Sequence, residues 1–404
     1  MRARRSPPAP PARAFEPLVL MRVVTEEGAL KELARDAAGA ERLAVDLEAS
    51  GMFAYRAGIC TVQMAWQSAA EMAVVDTLSA PIAALAGLLG AAGPTKIVHD
   101  VAFDARLLAE AGVELGNVHD TALAAHMLGR AATGLASLLA SELGVHIGKG
   151  MQHHDWRLRP LGAEMLAYLA ADVAHLEALE RVLWREVVER GVEDAVLEET
   201  RYRLASAVAG ARSPQDGPAY ARIKGASKLP ERERAALRVL AELREREAKR
   251  RDVPPYRVVS NETLLALAHA RPTEPADVAR MRGVASRSPE ERAFVEEMAR
   301  GLAAAGESIP EEERPLFERP QVPAAIAKAR REREGRLLAW RRAEAKQRGV
   351  NEQVVLPGHC AQDAVDGDIA GVDDLHRVRG IGAFRVHRDG EAIVRALRGD
   401  GVAS

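Results

Sequence analysis

The chain has 404 residues, 48% of them hydrophobic and only 4% aromatic, with a formal net charge of −2. That length predicts two or three domains, and the Ala- and Leu-rich, aromatic-poor balance predicts helical packing. No run of 18 apolar residues suggests a membrane span. Cys60 and Cys360 are the two cysteines, and their separation argues against a disulfide framework and for a reducing, cytoplasmic setting.

Near-neutral charge does not point to a polyanionic partner, so any phosphate-contacting surface has to be local. The N-terminal MRARRSPPAPPARAF is basic and then proline-rich, without an apolar core of the secretory type. Residues 1–16 are expected to be a disordered tail.

From about residue 18 to 210 the pattern predicts an α/β domain, a mixed sheet flanked by helices. LVLMRVV reads as a strand and Glu26 to Ala37 as a helix. ERLAVDLEA alternates, with Leu43, Val45 and Leu47 on one face and Asp46 and Glu48 on the other. ICTVQMAW and EMAVVD are predicted to complete a small antiparallel meander. TKIVH is a short buried strand before a helix from about Ala102 to Ala111, and NVHD ends a strand that leads into ALAAHMLG. Residues 163 to 190 have the spacing of one long helix.

The Pro-, Gly- and Ser-containing segment 211–220 breaks this pattern, and beyond it the chain reads as helices. A second break falls in the acidic, proline-rich stretch 306–323. The flanking pieces repeat one another at a constant offset of 97, shown by Gly283 and Gly380 and by Lys249 and Lys346. Arg244/Arg341, Val253/Val350, Val258/Val355 and Asp277/Asp374 are among the other identical pairs. This predicts a duplicated helical module, too few copies for a solenoid. Residues 231 to 251 carry eight Lys/Arg against five Glu, and 331 to 349 carry seven against three. Such helices are either solvated faces or phosphate-contacting surfaces.

Asp46 and Glu48 lie two apart on a predicted strand, so their side chains leave one face about 7 Å apart. Asp104 falls near a helix start, where a carboxylate also suits the macrodipole. Tyr168 and Asp172 are an i,i+4 pair on one helical face. Each segment alone has a bland reading, respectively a solvated strand face, a helix-terminal charge and a surface Tyr–Asp hydrogen bond. Together they form a carboxylate set suited to hard divalent cations, Mg²⁺ or Mn²⁺. A cage holding two such ions is a phosphodiester-cleaving arrangement. No phosphate-binding glycine loop, CxxC pair or nucleophile elbow is present.

These motifs resemble those of the ribonuclease D family, in the tyrosine subclass of the DEDD superfamily of 3′→5′ exonucleases. The aspartate–x–glutamate motif falls on Asp46 and Glu48. The second acidic position is Asp104, five residues after His99, and the Tyr-x-x-x-Asp motif is Tyr168 to Asp172. Asp120-Thr121 matches a further family dipeptide, with a structural role, and HDWRLRPL from His154 matches another family stretch. The sister subclass has a histidine where this chain has Ala167.

The duplicated module resembles the HRDC domain. Gly380-Ile381-Gly382 resembles a hairpin that contacts a phosphate backbone, whereas the first copy has Gly283-Val284-Ala285, without the second glycine.

The resemblance implies a ribonuclease H-like exonuclease domain over residues 17–210 and HRDC bundles over 229–305 and 329–404, with linkers 211–228 and 306–328. It implies that Asp46, Glu48, Asp104 and Asp172 hold two Mg²⁺ or Mn²⁺ ions while Tyr168 orients the attacking water. His99, Trp156, Arg157, Arg159, Lys249 and Lys346 are the expected substrate contacts, and Phe53, Tyr55 and Trp156 the candidates for base stacking. The expected activity is 3′→5′ trimming of precursor tRNA and other structured RNA by a monomer, without a nucleotide cofactor or a membrane. A repair exonuclease acting on DNA and a non-catalytic RNA-binding scaffold are the alternatives.

Overall fold

The structure is a computed structural model that describes residues 21–148, 150–151, 153–212, 217–318 and 322–399. The expected tail, residues 1–16, lies outside the described residues. The chain packs as two units. One contains the chain through Glu48, Ile59–Arg212 and the chain from Ala324; the other contains Ala49–Gly58 and Ser213–Pro323.

The first unit is built on a six-stranded sheet in the order β1-β4-β3-β2-β5-β6. Its strands are β1 (Arg22–Val24), β2 (Arg42–Ala49), β3 (Ile59–Trp66), β4 (Glu71–Asp76), β5 (Thr95–Val98) and β6 (Val118–Asp120). β3 and β4 are antiparallel, whereas β1 runs parallel to β4, and β2 and β6 run parallel to β5. The sheet is therefore mixed, and the meander is one part of it.

Alternation along β2 sends Leu43, Val45 and Leu47 into a core shared with α1 (Glu27–Ala38), α2 (Ala86–Leu89) and α3 (Val101–Glu110). The opposite face, at Ala44, Ala65, Val74 and Ile97, is covered by Met165, Leu169 and Val173. α4 (Thr121–Met127) and α5 (Leu135–Leu138) follow the sheet, and a π-helical turn, Leu139–Leu143, continues α5.

The helix expected over 163–190 is broken into α6 (Ala163–Ala174) and α7 (Leu176–Glu189). His175, at φ −112° and ψ 0°, leaves helical geometry between them. The break lets α6 lie on the sheet while Leu179, Leu183 and Val187 of α7 pack with Leu123 and Met127 of α4. α8 (Glu193–Arg212) packs its Ala207 against the core that includes Val101, Ala105 and Leu108 of α3.

The second unit comprises α9 (Glu231–Arg251), α10 (Pro255–Val258), α11 (Asn261–Ala270), α12 (Pro275–Arg280) and α13 (Pro289–Ala304). The flanking stretches expected as linkers belong to its core. Tyr220, Ile223 and Ala226 on one side and Ile309 on the other are buried with α9, and Glu313 accepts hydrogen bonds from Tyr220 and Arg238. A cluster this small needs those additional apolar contacts to bury its helices.

The duplicate comprises α14 (Ala324–Arg348), α15 (Glu352–Val355), α16 (Gly358–Asp366) and α17 (Gly382–Arg398), and it packs within the first unit. The offset of 97 survives in backbone detail: Asp252 and Gly349 both terminate their helices at positive φ, as Gly283 and Gly380 both turn at positive φ. The identical Arg244 and Arg341 are buried arginines that donate to the carbonyls of Val259 and Glu352 respectively. Thus much of the cationic charge on these long helices is structural. Arg238 pairs with Glu313 and Arg348 with Asp389, while Lys249 and Lys346 remain exposed.

Candidate active site

Asp46 and Glu48 leave β2 on the face covered by α6, and Asp172 reaches them from that helix. Carboxylate oxygens of Asp46, Glu48 and Asp172 all lie within 4.8 Å of one another. Among the described residues this is the one group of three or more such side chains drawn together in this way. An open cavity of about 250 Å³ runs over them, lined also by His99, Leu135 and Tyr168.

Crowded carboxylates in a partly dry site resist ionisation. Burial pushes Asp46 up to about 6 and Asp172 up to about 7. Glu48 rises to about 9, through burial first and then through the charges of Asp46 and Asp172. Tyr168 is hydrogen-bonded to Asp172, and burial followed by the neighbouring carboxylates raises its phenol above the ordinary value of 10.

Asp104 stands apart from the close trio. It occupies the first turn of α3, and burial together with the charges of Asp46 and Glu48 raises it well above the usual carboxylate range. The start of that helix is fixed by Asp120, a buried carboxylate. Its oxygens accept from the backbone N–H groups of Asp100 and Val101 at 3.1 Å, and of Ala122 and Leu123 at 3.0 and 3.1 Å. One side chain thus aligns the beginnings of α3 and α4, the structural role expected for the Asp120-Thr121 pair. The Nδ1 of His99 lies 2.9 Å from the Thr121 hydroxyl, which anchors the imidazole at the edge of the cavity.

Three expected substrate contacts are otherwise engaged. Trp156 is 1% exposed, so it cannot stack on a base; it packs 5.7 Å from the Tyr168 ring and supports the phenol from behind. The guanidinium of Arg159 forms a two-bond fork with the buried Asp76, at 2.6 and 2.7 Å, and also donates to the carbonyl of Cys60. Arg157 forms a similar fork with Asp155, at 2.9 Å for both bonds.

The proposed stackers Phe53 and Tyr55 lie in the second unit. Arg257 covers the Phe53 ring at 4.6 Å, and the Tyr55 hydroxyl donates to Glu245. The Gly380-Ile381-Gly382 hairpin, expected to meet phosphate, is instead packed on α8. A Cβ on Gly380 would lie 2.5 Å from the Tyr202 ring, and one on Gly382 would lie 1.9 Å from the Glu198 carboxylate.

Gln63, outside every motif of the sequence, is a fully buried amide that donates to Asp46 at 2.9 Å. Its signal is an amide two residues after Thr61 inside the largely apolar run ICTVQMAW. The cavity wall formed by Gly134, Leu135, Ala136, Ile147 and Gly148 likewise has no motif in the sequence.

The donor set suits a hard divalent cation. All three close groups offer carboxylate oxygens, and burial first, then for Glu48 and Asp172 the charge of their neighbours, holds them above the usual carboxylate range.

The chain is similar to known nucleases. Residues 21–188 match the family described as 3′-5′ exonuclease, and residues 233–294 match the HRDC domain family. Ribonuclease D of Gluconacetobacter diazotrophicus is 30% identical over 246 residues, covering 60% of this chain and 61% of that protein. Ribonuclease D of Acidiphilium cryptum is 29% identical over 286 residues, covering 69% of this chain and 70% of its own length. The fold is shared with Escherichia coli RNase D, described as an exoribonuclease involved in structured RNA processing. That match has a TM-score of 0.66 at 21% identity and covers 94% of this chain and 99% of that one. A mixed-sheet domain that matches the 3′-5′ exonuclease family, followed by a helical region that matches the HRDC domain family, makes the chain similar to ribonuclease D proteins.

Proposed function

We propose that the chain is a metal-dependent 3′→5′ exoribonuclease that trims structured RNA, including tRNA precursors, and releases nucleoside 5′-monophosphates. The observation that carries this reading is the convergence of Asp46, Glu48 and Asp172 within 4.8 Å in an open cavity beside Tyr168. Asp46, Glu48 and Asp172, with Asp104 at the edge, would hold two divalent cations, Mg²⁺ or Mn²⁺. Such ions supply charge neutralisation at the phosphodiester and a water that ionises near neutral pH.

The protein's own groups do the remaining work. Tyr168, whose raised pKa keeps its proton near neutral pH, orients the attacking water by hydrogen bonding rather than as a base. Trp156 and Asp172 fix the direction of that phenol, by packing and by hydrogen bonding. His99 and the wall of Leu135 and Ala136 bound the cavity that receives the terminal nucleotide. No nucleotide cofactor is required, since water is the nucleophile. We infer a monomer acting on RNA in the cytoplasm, where the free thiols Cys60 and Cys360 would stay reduced.

Incubating a 3′-extended tRNA transcript with Mg²⁺, Mn²⁺ or EDTA, alongside single-stranded DNA, tests the reading. A ladder shortening from the 3′ end of RNA, abolished by EDTA, is expected. Preference for DNA would replace the RNA assignment with a repair role, and inactivity with every metal would leave an RNA-binding scaffold.

A further inference from the structure

Strand β3 carries two polar side chains in a place where apolar ones would ordinarily sit. Thr61 and Gln63 are both fully buried, between the apolar Val62 and Met64 and their neighbours. A buried primary amide loses free energy unless its donors and acceptor are matched. Here the matching is directional. The Nε2 of Gln63 donates to Oδ2 of Asp46 at 2.9 Å, and the Thr61 hydroxyl donates to Oε1 of Gln63 at 3.3 Å.

A carboxylate can only accept, whereas a threonine hydroxyl can donate. The reverse amide orientation would therefore set two oxygens against each other next to Asp46 and waste the Thr61 proton. The chain Thr61–Gln63–Asp46 has one satisfied arrangement. β3 is the neighbour of β2 in the sheet, so both links lie on rigid strands rather than on a loop.

We propose that Gln63 is a positioning residue for the metal site: it fixes the carboxylate of Asp46 in its ligating orientation, and Thr61 fixes the amide of Gln63. The inference rests on the divalent-cation reading above. One Asp46 oxygen is held by a neutral donor that never competes for the cation's charge. The carboxylate therefore need not be ordered anew when a cation arrives. Outer groups of this kind change metal affinity by about 10- to 100-fold when removed.

The test is equilibrium Mn²⁺ binding to the full chain, followed by electron paramagnetic resonance of the free ion. It compares the unmodified protein with Gln63→Met, Thr61→Val and the double variant. Gln63→Met, which keeps length without a donor, is expected to weaken binding by about tenfold or more. Thr61→Val should weaken it less, and should add nothing in the Gln63→Met background, because its influence passes through the amide. At limiting Mn²⁺ the Gln63→Met turnover number should fall and recover with excess metal, while KM for RNA stays unchanged.

Unchanged Mn²⁺ affinity in a cooperatively folded Gln63→Met protein overturns the proposal. So does a Thr61→Val effect that persists in full in the double variant. If Gln63→Met does not fold, Thr61→Val decides alone, and wild-type affinity in it sinks the idea. Absence of Mn²⁺ binding by the unmodified chain is a different result, which removes the metal reading itself.

Discussion

Glu48 is held near pKa 9 because a partly buried carboxyl faces two others. The folded chain therefore prefers the protonated form more strongly than the unfolded chain does. Stability from this group is present below its ordinary value of 4.5 and is lost as pH rises towards 9. Asp172 and Asp46 act in the same sense, between 3.8 and about 7 and between 3.8 and about 6. In EDTA the melting temperature is expected to fall as pH rises from 5 to 9. Mn²⁺ should restore more at pH 8.5 than at pH 6, since cation binding displaces those protons. A melting temperature independent of pH in EDTA would contradict the repulsion at the centre of the site.

Two substitutions separate holding the ions from orienting the water. Asp46→Asn is expected to lower turnover by on the order of 10³-fold, the scale of losing a charge stabiliser in a dry site, with the circular dichroism unchanged. Tyr168→Phe should lower turnover by about 100-fold, as for other positioned proton-bearing groups. It should leave Mn²⁺ affinity intact, and calorimetric titration distinguishes the two variants.

Between elements, the decisive contact joins α8 to α17. Arg385 is fully buried and donates to Glu198 at 3.1 Å and to the carbonyl of Ala195 at 3.1 Å, while Glu198 also accepts from the backbone of Phe384 at 2.9 Å. This explains Gly382: only a residue without a Cβ lets the chain pass the Glu198 carboxylate. Glu198→Ala would strand a buried guanidinium, and removing one partner of such a pair costs about 3–5 kcal/mol. Urea denaturation should show a lowered midpoint of that order. A shift below about 1 kcal/mol would mean that water reaches Arg385 and the contact is loose.

At the scale of the molecule, the second helical module is part of the sheet-bearing unit rather than an appendage. Val354 is buried with Leu123, Leu183 and Val196 of α4, α7 and α8, and Val350 and Phe384 pack on the same cluster. A chain ending at Arg212 would expose that surface to water. We expect it to melt several degrees below the full chain and to bind a hydrophobic dye, as uncovered apolar area does. Equal melting temperatures would show the covering to be energetically idle. The two copies use the turn differently: Gly380 and Gly382 pack on α8, whereas the matching Gly283, although exposed, backs onto Thr263 of its own module.

The sequence by itself determined the mixed sheet and the carboxylates that converge on it. Period-two alternation fixed which face of β2 bears Asp46 and Glu48, i,i+4 spacing joined Tyr168 to Asp172, and the 97-residue offset exposed the duplication. These are local signals, legible because strands and helices impose their periods on the sequence directly. The strands ICTVQMAW and EMAVVD coincide with β3 and β4.

Tertiary structure alone decided which charges were already spent. Arg159 reads as a phosphate ligand until Asp76 is found opposite it, 83 residues away. Trp156 reads as a stacking platform until α6 covers it, and Gly380-Ile381-Gly382 reads as a nucleic-acid hairpin until α8 fills its concavity. The presumed linkers read as polar connections although single residues such as Tyr220 and Ile309 are buried. For Arg159 and for the glycine turn the deciding partner lies far along the chain, and in every case burial and pairing are properties of the partner as much as of the residue.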